Sequence, residues 1–496
     1  MRRTFKIGAP KAMHKKNSPL APGKRVRFIS LGCPKNLVDS ESILGHLNSA
    51  GYQICSEDKL SAEQAGDFDI FIVNTCCFIK EADQESRDII RQSIKLRKSY
   101  TQQHPEKKGF KIIVSGCLAQ RSADKLNDDF DGEIDGIIGV NERDKIVWLC
   151  DELTGEKDSS KQISSPSLVT APDKTSVRYD NKRLRITPPH YAYLRIAEGC
   201  DNRCSYCVIP DIHGNYRSKP LNKVLEEARY LIDNGAKELN LIAQDTTSYG
   251  KDLGNKINIS VLLSELAKLK GVGWIRLLYT HPAYFADELI DTIAGTGNIV
   301  KYVDLPVQHI SEKILSRMRR HVTREKTISL IHKIRQKIPN VFIRTTAIVG
   351  FPGETEKDFS ELLDFIKEME FERLGAFQYS KEKGTSAYGL SGQISNTIKK
   401  NRLDKVMTLQ QRIAFKKNES LVGKIIESIV DSEYDTPTAD NLKSDRIYLG
   451  RTYGDAPEVD GNIIIKSVHK LKNGAIIKIR ITKTQNYDLV GETVKE

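Results

Sequence analysis

Nine cysteines stand in the sequence, and their spacing sorts them. Cys200, Cys204 and Cys207 lie within EGCDNRCSYCVIP as Cys-x3-Cys-x2-Cys. Three thiolates in one short loop suit three irons of a 4Fe–4S cube and leave the fourth iron open to a small molecule. A structural zinc site would want four ligands, usually CxxC paired with CxxC or with histidine. His213 is the one candidate for that fourth ligand nearby, and the open iron–sulfur site is the favoured reading.

A second set is dispersed. Cys33, Cys76 and Cys117 each follow an apolar run, in ISLGC, FIVNTC and IIVSGC. Parallel strands of one sheet would bring their carboxyl ends, and these three thiols, to a single edge, where open α/β sheets bind ligands. The competing reading is three small buried residues, because free cysteine is among the most buried types. Repetition at equivalent positions favours a second cluster with three ligands and one open iron. Cys77 adjoins Cys76 and is the alternative ligand. Consecutive side chains point differently, so only one of the two should reach the cluster. Cys55 and Cys150 share no such pattern and are expected to be structural.

The elements that must position these thiols can be read from periodicity. VRFISL, FDIFIVN, KIIVS and IDGIIGV alternate with helical stretches such as KEADQESRDIIRQSIKLRKSY, which points to a parallel α/β sheet covered on both faces. Residues 151–185, rich in Ser, Pro and Lys, read as a linker, with room for a local hairpin. YAYLRI, ELNLIA, WIRLLYT, YVDLPV, FIRTTAIVG and LGAFQYS then form six strand–helix repeats, the pattern of a partial β/α barrel. A long helix near Thr397–Asn418 closes it. After about residue 418 short strands separated by turn residues predict a small all-β barrel. The fold expected is thus α/β and multidomain, with a basic tail (1–23), a sheet domain (24–150), a linker (151–185), a β/α barrel (186–417) and a β-barrel (418–490).

Composition sets limits. At 496 residues the chain exceeds one hydrophobic core. With 39% apolar and 29% charged residues and a mean hydropathy of −0.42, the balance is that of a globular protein. No apolar run approaches the ~18 residues of a membrane helix, and the amino terminus lacks the apolar block of a signal peptide. A cytoplasmic location without membrane contact is expected, and an odd cysteine count there argues against a disulfide framework. The net charge is +12, and no acidic residue precedes Asp39. The tail therefore suits RNA, or is a solvated segment. From Lys416 to the end, thirteen basic and thirteen acidic residues balance, and Glu427, Asp431, Glu433, Asp435 and Asp440 form an acidic stretch without a base.

Cys-x3-Cys-x-aromatic-Cys, with Tyr206 as the aromatic, resembles the signature of the radical S-adenosylmethionine superfamily. Together with SLGCPKNLVDSE, VNTCCFI, IAQDTTSYG, LPVQHIS, IVGFPGETE and DAPEVDG, residues 24–490 resemble the methylthiotransferase family, in its ribosomal-protein aspartate (RimO-type) branch. Cys77 departs from the pattern, which usually has Gly there. The resemblance carries the ligand role to Cys76 and makes the β-barrel a TRAM domain. It implies two 4Fe–4S clusters, held by Cys33, Cys76 and Cys117 and by Cys200, Cys204 and Cys207. The cofactor is S-adenosyl-L-methionine, met by Tyr206 and, at the carboxyl edge of the barrel, by Gln244 and Arg344, for which a surface polar role is the alternative; no catalytic residue beyond the cluster ligands is assigned. One molecule supplies a methyl group to sulfur at the auxiliary cluster. A second is cleaved reductively to a 5′-deoxyadenosyl radical, which takes hydrogen from the β-carbon of an aspartate in small-subunit ribosomal protein twelve. That carbon has no acidic proton, so a radical cofactor is needed. The implied partners are the ribosomal protein and an electron donor such as flavodoxin or ferredoxin.

Two other readings stand beside this one. A tRNA adenosine methylthiotransferase would use the same chemistry, but the acidic stretch suits a basic protein better than tRNA phosphates. A non-catalytic, metal-containing RNA-binding protein is disfavoured by the open three-ligand spacing. The glycines of IVGFPGETE offer close approach to a nucleotide or simply a turn before a helix. His281 and His309 are expected to be core residues.

Overall fold

The computed structural model describes residues 24–55, 66–107, 109–155, 166–172, 177, 179–180, 182–254, 256–434 and 446–494. The basic tail and the acids Asp435 and Asp440 lie outside them. The chain forms two compact units. The first runs to Thr187 and adds Glu198–Asp201 and Cys207–Arg217; the second holds Pro188–Ala197, Asn202–Tyr206 and everything from Ser218.

The first unit is built on six strands: β1 (Arg25–Ser30), β2 (Gln53–Cys55), β3 (Ile70–Thr75), β4 (Lys111–Gly116), β5 (Gly136–Ile138) and β6 (Ser167–Leu168). They lie in the order β2-β1-β3-β4-β5-β6, and every ladder is parallel. Helices α1 (Pro34–Ser49), α2 (Lys80–Gln103), α3 (Cys117–Leu126) and α4 (Ile146–Thr154) make the connections. Side chains alternate across the sheet, so Phe71, Val73, Ile112 and Val114 feed one core while Ile70, Ile72, Ile113 and Ile138 feed another. That is why β3, IFIVNT, is buried along its whole length.

Part of the segment read as a linker belongs to this sheet. Ser167 and Leu168 pair in parallel with Ile137 and Ile138 as an edge strand, and among the described residues of the segment no hairpin forms. Leu168, Leu184 and Ile186 pack against the core, and Arg183 forms a buried ion pair with Glu41. A few apolar anchors suffice to dock a polar stretch, and no periodicity announces them.

The second unit opens with β7 (Tyr191–Arg195). The short strands β8 (Ala197–Glu198) and β9 (Arg217–Ser218) flank the cysteine-rich segment, within which α5 (Ile209–His213) belongs to the first unit. Then come β10 (Glu238–Ile242), β11 (Trp274–Leu277), β12 (Tyr302–Asp304), β13 (Phe342–Val349) and β14 (Arg373–Gln378). The ladders β7-β10-β11 and β12-β13-β14 are parallel. The bridge from Ile275 to Ile299 and the bond from Thr280 N to Asp304 O (3.2 Å) carry the chain from one to the other. Among the described residues no ladder joins β14 to β7, so the β/α barrel is partial. Its helices are α6 (Leu221–Asp233), α7 (Ile259–Ala267), α8 (Asp287–Gly295), α9 (Glu312–Met318), α10 (Arg324–Lys337) and α11 (Glu356–Met369), and α12 (Asn396–Glu419) completes the set.

The five remaining strands, β15 (Ile425–Glu433), β16 (Arg446–Thr452), β17 (Ile463–Ser467), β18 (Ile476–Gln485) and β19 (Asp488–Thr493), close a barrel in the order β15-β16-β17-β19-β18. DAPEVDG, in the loop after β16, seals the amino-terminal ends of the large-barrel strands. Tyr191 donates to Glu458 (2.6 Å), Tyr302 to Asp460 (2.7 Å) and Arg373 to Asp455 (2.6 Å). Arg451 pairs with Glu238 (2.7 Å).

Among the described acids of that stretch, Asp431 is the one the fold draws inward, whereas Glu427 and Glu433 stay exposed. Asp431 is held by Arg451 (2.9 Å) and His190 (2.7 Å). Glu427 accepts from Trp274 Nε1 (2.9 Å), and Glu433 pairs with Arg446 (2.9 Å). A carboxylate within reach of a buried cation is worth more there than in water, so the tertiary fold consumes the charge of Asp431, which looks available in one dimension.

Candidate functional site

The sheet brings the three dispersed cysteines together. Ser30, Asn74 and Ser115 lie side by side across β1, β3 and β4, and the chain leaves the sheet just after each. Cys33 caps α1 two residues beyond Leu31, Cys76 follows β3 directly, and Cys117 opens α3. Backbone that L side chains avoid makes this approach possible. Gly32 has φ +98°, and a Cβ there would stand 2.7 Å from Cys76 Cβ and 3.1 Å from its Sγ. Gly116 has φ +90°, with Thr75 O at 2.5 Å from its missing Cβ.

Polar groups fix the three turns. Asn36 Nδ2 donates to Thr75 O (3.2 Å), and Asn74 Nδ2 donates to Asn36 O (3.0 Å) and to Ser40 Oγ (2.7 Å). Ser86 Oγ takes the Cys76 amide (3.0 Å) and donates to the Cys76 carbonyl (2.7 Å). Burial pushes the Cys117 thiol well above its ordinary range, and Cys76, Cys77, Cys33 and Asp39 push it the same way. Sulfurs that raise one another's pKa form a donor set that a cationic centre would relieve. This fits a cluster, which spreads its thiolates over different irons. Among the described residues no three His, Cys, Asp or Glu side chains are grouped to hold a single metal ion.

Cys77 is placed otherwise. It is fully buried in the core beneath the sheet, and desolvation lifts its thiol to about 12. Cys150 is likewise fully buried, while Cys55 Sγ lies 3.5 Å from Asp67 O at the sheet edge.

The short cysteine loop divides between the units. In the first, the Cys200 amide donates to Gly214 O (3.1 Å) and the Tyr216 amide to Asp201 (2.9 Å). Val208 and Ile212, just after Cys207, are buried in the same core as Cys77 and Cys117. His213, considered as a zinc ligand for the short loop, instead places Nε2 3.9 Å from Cys117 Sγ.

In the second unit, Ser205 anchors the middle of the loop. Its amide donates to Met318 O (3.0 Å), its hydroxyl to Arg317 O (2.7 Å), and its carbonyl accepts from Ala387 N (2.7 Å). Cys204 Sγ lies 3.7 Å from Arg320 Nη1. Tyr206 meets Phe351 edge to face, with ring centroids 6.5 Å apart.

Gln244 follows β10 at the carboxyl end of the barrel, and its buried Oε1 has no partner. Gln308 Oε1 is equally unpartnered, and its backbone is left-handed at φ +69°. Buried acceptors of this kind are satisfied in proteins by ordered water or by a ligand. Arg344 differs: its guanidinium is taken up by Asp304 (3.1 Å) and Asp460 (3.4 Å), toward the sealed end of the barrel. The expected cofactor contact at Arg344 thus gives way to a structural ion-pair network.

His281 and His309 are neutral. Burial lowers them to about 2 and about 4, and each Nδ1 accepts a backbone amide, from Ala283 (3.2 Å) and Ser311 (3.0 Å). IVGFPGETE forms a turn into α11, closed by a reciprocal Thr355–Asp358 capping box. Sequence reasoning passed over Gln308 and Arg320. Gln308 sits within the quoted LPVQHIS, whereas nothing in one dimension ties Arg320 to a cysteine 116 residues away.

Known proteins match on these same elements. Residues 25–139 match the uncharacterized protein family UPF0004, residues 194–366 the radical SAM superfamily, and residues 422–494 the TRAM domain. The ribosomal protein uS12 methylthiotransferase RimO of Acetivibrio thermocellus is 41% identical over 95% of this chain and 99% of its own length. Its counterpart in Pelotomaculum thermopropionicum is 42% identical over 95% of this chain and all of its own length. The chain belongs to the RimO methylthiotransferase family. Among solved structures, the radical S-adenosylmethionine methyltransferase TsrM of Kitasatospora setae, with tryptophan and a cofactor analogue, shares the fold. It aligns with a TM-score of 0.51 at 16% identity, over 71% of this chain and 72% of that one.

Proposed function

We propose that this RimO-family chain is a radical SAM methylthiotransferase that acts on ribosomal protein uS12, adding a methylthio group to the β-carbon of an aspartate. The observation that carries the site assignment is the convergence of Cys33, Cys76 and Cys117 at neighbouring strand ends, beside a second set in sequence, Cys200, Cys204 and Cys207. Each set offers three thiolates, the donor number of an open 4Fe–4S cluster. When bound, such clusters supply one-electron reduction of S-adenosylmethionine at the short loop and a sulfur-holding iron at the sheet edge.

The chain's own residues do the positioning. Gly32 and Gly116 let the three sheet-edge turns close on one another. Gln244 and Tyr206 are assigned to the S-adenosylmethionine site, Gln244 through its unpartnered carbonyl. Arg344 is assigned to the joint that seals the barrel. The domain limits we propose are 24–150, 186–417 and 418–490, with 151–185 as a partly docked connection. The TRAM domain and the basic tail support RNA contact at the ribosome. A one-electron donor of the flavodoxin or ferredoxin class and a cytoplasmic location complete the reading. No helix of the described residues is long and apolar enough to cross a membrane. The tRNA reading and the non-catalytic reading are not favoured, since RimO relatives match along nearly the whole chain.

The test is anaerobic incubation of the reconstituted protein with S-adenosylmethionine, a reductant, uS12 and tRNA, followed by mass spectrometry. Methylthio mass on uS12 is expected; mass on tRNA, or on neither, refutes the reading.

A further inference from the structure

We propose that Arg320 is a positioning residue that holds the Cys204 thiolate by a charge-assisted hydrogen bond and so favours one-electron reduction of the cluster bound through Cys200, Cys204 and Cys207. The proposal rests on the cluster assignment above and adds a residue to it.

Arg320 is 4% exposed. Its Nη2 donates to Pro306 O (2.7 Å), its Nη1 faces Cys204 Sγ at 3.7 Å, and its Nε has no partner. Among the described residues no carboxylate forms an ion pair with it. The acid in its neighbourhood, Asp245, is engaged by Asn202 Nδ2 (2.9 Å), the Thr247 amide (3.1 Å) and Ser248 Oγ (2.9 Å). Asp245 is near enough to favour the buried cation but makes no ion pair with it, so the group in direct contact is the one that an anion would best complete. That group is the sulfur of Cys204, and a cluster-bound cysteine is a thiolate.

The contact is built rather than incidental. Arg319 ends α9 in the left-handed conformation (φ 56°), and the Arg320 amide returns to Leu315 O (3.0 Å). One residue past Cys204, Ser205 bonds the carbonyls of Arg317 and Met318, so thiol and guanidinium are fixed to the same helix end. Reduction adds an electron from an external donor to an anionic cluster. A fixed positive charge that also donates to a ligand sulfur favours the reduced state, because potentials follow net charge and hydrogen bonds to sulfur.

The experiment uses the full-length protein carrying Cys33→Ala, Cys76→Ala and Cys117→Ala, so that a single cluster titrates. Arg320→Met and Arg320→Lys are compared with this parent by iron and sulfide content and by a redox titration followed by EPR. Arg320→Met should shift the reduction equilibrium about tenfold toward the oxidised form, about 59 mV more negative. Arg320→Lys, which keeps the charge but loses the planar fork, should recover part of the shift. A change of less than about twofold in Arg320→Met, with an unaltered EPR signal, overturns the proposal while leaving the cluster assignment standing. A parent that binds no iron overturns both. Should Arg320→Met fail to load iron, the Lys and Gln variants decide by the same criterion.

Discussion

Replacing Arg451 by Met should loosen the small barrel from the large one. The Arg451 side chain is 3% exposed and pairs with Glu238, fully buried, and with Asp431. Breaking a buried pair by removing one partner costs about 3–5 kcal/mol, because a charge is left without compensation. Glu238 keeps Arg276 (2.9 Å) and Asp431 keeps His190 (2.7 Å), so neither carboxylate is left alone and the loss should lie at the lower end of that range, about 3 kcal/mol. At about 1.4 kcal/mol per factor of ten, docking weakens by about two orders of magnitude. The sequence supplies its own reporter. Trp274 is buried and its indole donates to Glu427 in β15, whereas the only other tryptophan, Trp148, is half exposed. In a Trp148→Phe background, urea should redden Trp274 emission at a clearly lower concentration for Arg451→Met than for the parent. The dependence on pH follows in sign. Burial pushes the Asp431 carboxyl up, but Arg451 and His190 outweigh it and hold it below the ordinary range. Its stabilising contribution is present above the unfolded value of about 3.9 and fades as pH falls through the lower native value. That acid-side loss should shrink in Arg451→Met, where His190 alone still holds the carboxyl down. A urea midpoint equivalent to less than about 1 kcal/mol of change would refute the reasoning, as would failure of Glu238→Gln with Asp431→Asn to restore part of the loss.

Further outcomes can be checked on the clusters and their cradle. Reconstituted protein should hold about eight irons, falling to about four in either triple Cys→Ala variant; about four in the parent would reject the second cluster. Cys76→Ala should lose the auxiliary cluster, whereas Cys77→Ala should keep it and show only a core loss of about 1 kcal/mol, read from iron content and melting temperature. Gly32→Ala should lower iron loading at the sheet edge, because its Cβ would press on Cys76, and should leave S-adenosylmethionine cleavage at the other loop intact.

Much of this protein is legible in one dimension, for a local reason. Apolar runs of four to eight residues separated by helical stretches give the parallel sheet, the six barrel strands and the closing helix, because strand and helix periods are properties of neighbouring residues. The Cys-x3-Cys-x2-Cys loop is likewise local, and Cys33, Cys76 and Cys117 could be grouped because each repeats one relation to its own strand. The fold decided what depends on partners distant in sequence. It buried Cys77 and set Cys76 beneath Gly32, docked Leu168 as an edge strand, and brought His213 to Cys117. It also spent Asp431 and Arg344 on ion pairs that seal the barrel, where composition suggested a docking face and the family resemblance a cofactor contact. A side chain's charge is written in the sequence; whether that charge is free depends on which opposite charge is buried beside it, and only the tertiary structure fixes that.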